Sequence, residues 1–128
     1  MKPRTVGELE EALFEAFPLC DAESWDNCGL AVGNRQTALG KIAVNLDMSE
    51  EAVIAAHEAG CNVLVTHHPP FIKEGPVEFG PAIQAESPGP GRMVYEAISR
   101  GINLIAMHTN ADRAIATREV FARKLGYT

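Results

Sequence analysis

Basic charge is scarce in this chain and gathers nowhere. Eleven lysines and arginines lie scattered among 17 acidic residues, giving a formal net charge of −6 and a pI near 5.1. Neutralising nucleic-acid phosphates needs clustered Lys and Arg, so this balance argues against a nucleic-acid-binding surface. Aromatic residues are also few, at 6%, and a core must rest mainly on Val, Ile, Leu and Ala. The three cysteines, Cys20, Cys28 and Cys61, form an odd set without a C-x-x-C pair. That fits reduced thiols better than a disulfide frame or a zinc knuckle. No apolar run approaches the roughly 20 residues that cross a bilayer. Met1-Lys2-Pro3-Arg4-Thr5 leads into an amphipathic segment carrying four glutamates, not a signal-peptide core, and a cytoplasmic location is expected. There is no Walker motif, no G-x-G-x-x-G and no G-x-S-x-G, which removes the usual phosphate cradles and the serine elbow.

What is present reads as an ordinary globular composition, 46% apolar and 22% charged over 128 residues, and predicts a single α/β domain spanning 1–128. Thr5 and Glu8 form a T-x-x-E capping box, and Val6, Leu9, Leu13, Phe14 and Phe17 follow at helical spacing until Pro18. Cys28–Gly33 and Ile42–Leu46 read as short strands, the second closing at Asp47. Ser49 caps a helix that runs to Gly60, with Glu50 and Glu51 in its first turn where the helix dipole favours negative charge. A Pro/Gly-rich loop over about 69–91 holds six of the eight prolines, and a loop of that length is usually functional or mobile. Helical patterning resumes at Met93–Arg100, a strand at Ile102–Met107, and a final amphipathic helix at about Ala114–Leu125.

Val63-Leu64-Val65-Thr66-His67-His68-Pro69-Pro70 is the segment richest in chemistry. An apolar run without polar alternation reads as a strand buried on both faces of a parallel sheet. Ligands of open α/β sheets bind outside the carboxyl ends of such strands, where this histidine pair falls. The pattern echoes 41 positions later: Gly60-Cys61-Asn62 through His67 aligns with Gly101-Ile102-Asn103 through His108. Both histidines are thus predicted at the carboxyl ends of parallel strands, and they converge if those strands are neighbours. His67, His68, His108 and Asp112, with Asp47 and Asp26 further out, form a mixed nitrogen and oxygen set that suits zinc, manganese, iron or nickel. Each residue also has a bland reading. His108 alone is a strand-end histidine bonded to backbone, Asp112 alone is the N-cap of the last helix, and His57 is simply solvated. Trp25-Asp26-Asn27-Cys28 reads either as a pocket wall with a polar floor or as a turn that bonds its own backbone, with Trp25 capping the core. Cys28 and Cys61 read as small core residues, and Glu74, Glu78 and Glu86 as solubilising loop charges.

Four blocks carry a family resemblance: Trp25-Asp26-Asn27-Cys28-Gly29-Leu30 with Val32-Gly33, Leu46-Asp47, Val65-Thr66-His67-His68-Pro69, and His108-Thr109-Asn110-Ala111-Asp112. Together they resemble the Nif-three-like family, also described as GTP cyclohydrolase I type 2 homologues, and specifically its amino-terminal half. The resemblance implies a mostly parallel sheet flanked by helices, a dinuclear metal centre and a homo-oligomeric, typically hexameric, ring. It implies His67 on one divalent ion and His68 on the other, with Asp112 joining His68. His108 and Asp47 are the expected proton carriers of a metal-dependent hydrolase of GTP cyclohydrolase type. The family's second half supplies a His-x-x-x-Glu ligand pair that is absent from this sequence, so one or two ions are expected. The alternative is a non-catalytic interaction or regulatory protein, acting through a protein partner, with a structural or vestigial metal site.

Overall fold

The computed structural model describes residues 2–71, 82–87 and 89–127. Its elements are α1 (Val6–Ala16), a 3₁₀ turn (Leu19–Asp21), β1 (Gly29–Val32), β2 (Lys41–Asn45), α2 (Glu50–Glu58), β3 (Cys61–Thr66), α3 (Pro90–Ser99), β4 (Asn103–Ala106), α4 (Thr109–Arg113) and α5 (Ile115–Lys124). Residues 72–81 and 88 of the proline-rich loop expected over 69–91, with Glu74 and Glu78, lie outside the described residues.

Thr5 caps α1 as its sequence predicts, its hydroxyl accepting the Glu8 N–H. The reciprocal half of the capping box is displaced by one residue, because the Glu8 carboxylate takes the Arg4 N–H at 2.7 Å. Thr5→Ala is expected to cost about 1 kcal/mol, read by chemical denaturation. Ser49 caps α2 in the same way through the Ala52 N–H. α3 starts at Pro90, earlier than the apolar spacing suggests, since proline at the first helical position carries no N–H to strand.

The four strands form one sheet in the order β1-β4-β3-β2. β2, β3 and β4 are mutually parallel, and β1 closes the other edge antiparallel to β4, with a bulge between Leu30 and Val32. The expected α/β architecture with a mostly parallel sheet is therefore observed. The two central strands carry the apolar runs Val63–Val65 and Leu104–Ala106 that burial on both faces requires, while Ile42–Val44, as long a run, lies on the edge strand β2. Val53, Leu64, Met93, Val94, Ala97, Ile102 and Leu104 pack between the sheet and α2 and α3. On the opposite face α1 contributes Val6 and Leu9 against Val63, Ile105 and Met107.

The sequence echo has a physical meaning. Asn62 and Asn103, at matching places in β3 and β4, each bind an incoming loop through the side-chain amide. Asn62 accepts the Gly40 N–H and donates to the Ala38 carbonyl. Asn103 accepts the Asn34 N–H and donates to the Asn62 carbonyl. These bonds hold β1 and β2 in place beside the central pair.

The last helix departs from expectation. The segment after β4 divides into α4 and α5 at Ala114, and Asp112 lies inside α4 instead of capping a single long helix. No residue of α5 is buried, and Ile115, Phe121 and Leu125 stand exposed among the described residues. No helix among them is long and apolar enough to cross a membrane.

Candidate metal centre

Strand register builds the site. Asn45, Thr66 and Ala106 lie side by side, so β2, β3 and β4 end in one row. The one or two residues beyond that row are Asp47, His67 with His68, and Met107 with His108. His67 and His68 both donate backbone N–H groups to the Leu46 carbonyl, at 3.2 and 3.1 Å. The buried Thr66 hydroxyl donates to the His68 carbonyl at 2.8 Å and holds the turn. The three imidazoles pack together, with ring centres 5.1 to 5.7 Å apart. One nitrogen from each falls within 4.8 Å of the others, a spacing that could hold a metal ion.

Each ring uses Nδ1 elsewhere. His67 Nδ1 is 2.9 Å from the Met107 carbonyl, His68 Nδ1 is 2.6 Å from Asp47 Oδ1, and His108 Nδ1 is 2.9 Å from Asp26 Oδ1. Oxygen partners behind histidine rings are the usual way of fixing tautomer and orientation so that Nε2 serves as the ligand atom. A carbonyl oxygen only accepts, so His67 Nδ1 carries the proton and Nε2 is bare unless the ring is charged. That Nε2 lies 3.3 Å from Asp112 Oδ1.

Asp26 is the most constrained of these groups. Its side chain is fully buried, while those of Asp47 and Asp112 are mostly exposed. It accepts from the Thr109 hydroxyl, the Thr109 N–H and the Asn27 N–H. Burial alone would raise its pKa, but hydrogen bonds from the Thr109 hydroxyl, His108 and the Thr109 and Asn27 amides outweigh it. They hold the carboxyl well below the usual carboxylate range. Beside it, burial pushes the Cys28 thiol up, reinforced by Asp26 and opposed by backbone N–H bonds from His108 and Asn110. A thiol kept protonated in this way is a poor nucleophile, and Cys28 stays the half-buried small residue its sequence suggests.

All the candidate residues therefore meet at one sheet edge: His67, His68, His108, Asp112 and Asp47, with Asp26 behind them. The resemblance grouped Asp112 with His68, whereas the side chain it lies against is that of His67. Trp25 does not cap the core. It is 43% exposed and stands edge-on to His108, ring centres 6.2 Å apart. His57 is exposed as expected. Sequence reasoning missed Thr109, whose bonds to Asp26 span 83 positions, and the Met107 carbonyl. No spacing rule signals either one.

The chain is similar to known proteins in sequence and in fold. The family model for Duf34/NIF3 (NGG1p interacting factor 3) matches residues 4–128. A Staphylococcus epidermidis protein named GTP cyclohydrolase 1 type 2 homolog is 36% identical over 107 residues, covering 84% of this chain and 27% of the relative. A solved Staphylococcus aureus hypothetical protein superimposes with a TM-score of 0.82 at 33% identity, over 98% of this chain and 34% of its own. A Bacillus cereus protein related to NIF3 gives 0.81 at 28% identity, again over 98% and 34%. The chain thus spans about a quarter to a third of the length of these relatives.

Proposed function

From the premise that the chain belongs to the Duf34/NIF3 family, we propose that it binds a divalent metal ion at His67, His68, His108 and Asp112 and serves metal-dependent hydrolysis. One observation carries the reading. His67 Nδ1 is committed to a carbonyl, so its Nε2 and the Asp112 carboxylate are two acceptors facing each other at 3.3 Å. Only a shared cation, a proton or a metal ion, turns such a contact from repulsive to attractive. Three nitrogens and a carboxylate oxygen suit zinc, manganese, iron or nickel, and the donor set fits the group.

Such an ion, when bound, makes its water acidic and polarises an ester or ring carbon. The chain's own residues supply the rest. Asp47 orients His68, Asp112 draws the cation toward His67, and His108 completes the donor set with its own imidazole. A cleft of about 500 Å³ opens beside His68, lined by Asp47, Ser49, Glu51, Pro70 and Met93, and gives a substrate room at this edge. A guanine nucleotide as that substrate has support only from the relatives' name.

Metal analysis of the purified chain beside the His67→Ala/His68→Ala double variant tests this reading. Stoichiometric zinc, manganese, iron or nickel in the wild type and its loss in the variant are expected. Equal metal in both would sink the metal site. Metal-loaded protein without turnover of GTP or simple phosphoesters would favour the interaction-protein alternative.

A further inference from the structure

We propose that Asp26 is a positioning residue, which, with Thr109, locks His108 in the Nδ1–H tautomer and so leaves Nε2 as the nitrogen His108 offers at the site. The inference rests on the reading of His108 as part of that site, and it adds the element that decides which of its nitrogens is available.

The argument is a count of donors. The Asp26 oxygens receive the Asn27 N–H at 2.8 Å on Oδ1 and the Thr109 N–H at 2.9 Å on Oδ2. The Cys28 thiol lies 3.3 Å from Oδ2. The Thr109 hydroxyl also bonds Oδ2, and its direction is fixed from behind. Its oxygen accepts the Glu23 N–H at 2.9 Å, so its own proton is turned toward Asp26. Each of these partners donates, and the side chain has no solvent exposure through which a carboxyl proton could bond to water. Three hydrogen bonds donated to this carboxyl favour its ionised form, and Asp26 is therefore an acceptor at both oxygens. The remaining partner, His108 Nδ1 at 2.9 Å, must then bring the hydrogen. A neutral imidazole with hydrogen on Nδ1 has a bare Nε2. Trp25, edge-on to the ring, occupies the space beside it.

The same count predicts what an isosteric change does. In Asp26→Asn only one oxygen remains. The Oδ2 place faces the Thr109 N–H, the Thr109 hydroxyl and the Cys28 thiol, so the amide oxygen settles there. The amide NH₂ then faces the Asn27 N–H, which loses its acceptor, and His108 Nδ1, which must become an acceptor, and the hydrogen moves to Nε2. The ring keeps its place and loses its available nitrogen.

The test is a two-bond proton–nitrogen correlation spectrum of the histidine rings in ¹⁵N-labelled, metal-free full chain, near pH 8 where ordinary imidazoles are neutral. His108 is expected as Nδ1–H in the wild type and as Nε2–H in Asp26→Asn. Thr109→Val is expected to weaken the preference and Thr109→Ser to restore it. Metal affinity in Asp26→Asn should fall on the order of 10–100-fold, the usual effect of losing a residue that orients a ligand. A wild-type His108 carrying its hydrogen on Nε2 overturns the proposal, whether or not any variant folds. An unchanged tautomer in a folded Asp26→Asn overturns it too. Because the spectrum is recorded without metal, an Nδ1–H wild type that binds no ion refutes the metal site and leaves the Asp26 assignment standing.

Discussion

Asp112→Asn is expected to move metal affinity and metal-free stability in opposite directions. In the wild type the Asp112 carboxylate and His67 Nε2 are both acceptors at 3.3 Å, since His67 Nδ1 is occupied by the Met107 carbonyl. Without a cation between them the contact costs free energy. An asparagine in the same place can turn its NH₂ toward Nε2. The metal-free variant then gains a hydrogen bond worth about 0.5–1.5 kcal/mol before exposure discounts it. The loaded protein loses an anionic ligand, and affinity should drop by at least about tenfold, beyond the lower bound seen for mere orienting residues. Denaturation at pH 8 with and without the metal reads both signs in one protein. If the variant were destabilised in both states, Asp112 would be a structural residue and the cation argument would fail.

Gly33→Ala is expected to cost roughly 2–6 kcal/mol, a large part of a domain's usual stability. Gly33 follows β1 with φ at +134°, a conformation that side chains rarely adopt, and a Cβ there would lie 2.2 Å from Asn103 Oδ1. That oxygen cannot move freely. It accepts the Asn34 N–H, while the other end of the amide donates to the Asn62 carbonyl. The substitution therefore strains the backbone and breaks the clasp between β1, β4 and β3. Gly60→Ala is the control, with φ at +77° and open space around the new methyl group. It should show the strain alone, about 1–3 kcal/mol. A melting temperature lowered equally in both variants would show that the Asn103 contact does not matter.

Much of the fold was legible because its causes are local. Thr5 and Ser49 announce helix starts, and Gly60 and Gly101 mark where helices stop. The unbroken apolar runs at Val63–Val65 and Leu104–Ala106 read as buried strands and are the central pair, although Ile42–Val44 reads the same way and lies at an edge. From two such strands ending in histidine, convergence of His67, His68 and His108 follows if the strands are neighbours, as they are. The break at Ala114 was not legible. The apolar residues of α5 look like those of a helix with a face to bury, yet among the described residues they remain exposed. Helical spacing shows which residues share a face and says nothing of whether a partner is there to cover it.

The sequence by itself determined the inventory at this site: three imidazoles, placed just past the ends of buried strands, and three carboxylates. Tertiary structure alone decided which carboxylate serves which ring, and on which nitrogen. Asp47 and Asp26 stand behind His68 and His108 at Nδ1, and Asp112 stands before His67 at Nε2. The reason is distance along the chain. His68 and Asp47 are 21 positions apart, and His108 and Asp26 are 82 apart. Such pairs are brought together by strand register and by asparagine clasps that hold the loops. No local pattern of residues encodes the direction of a hydrogen bond across that interval.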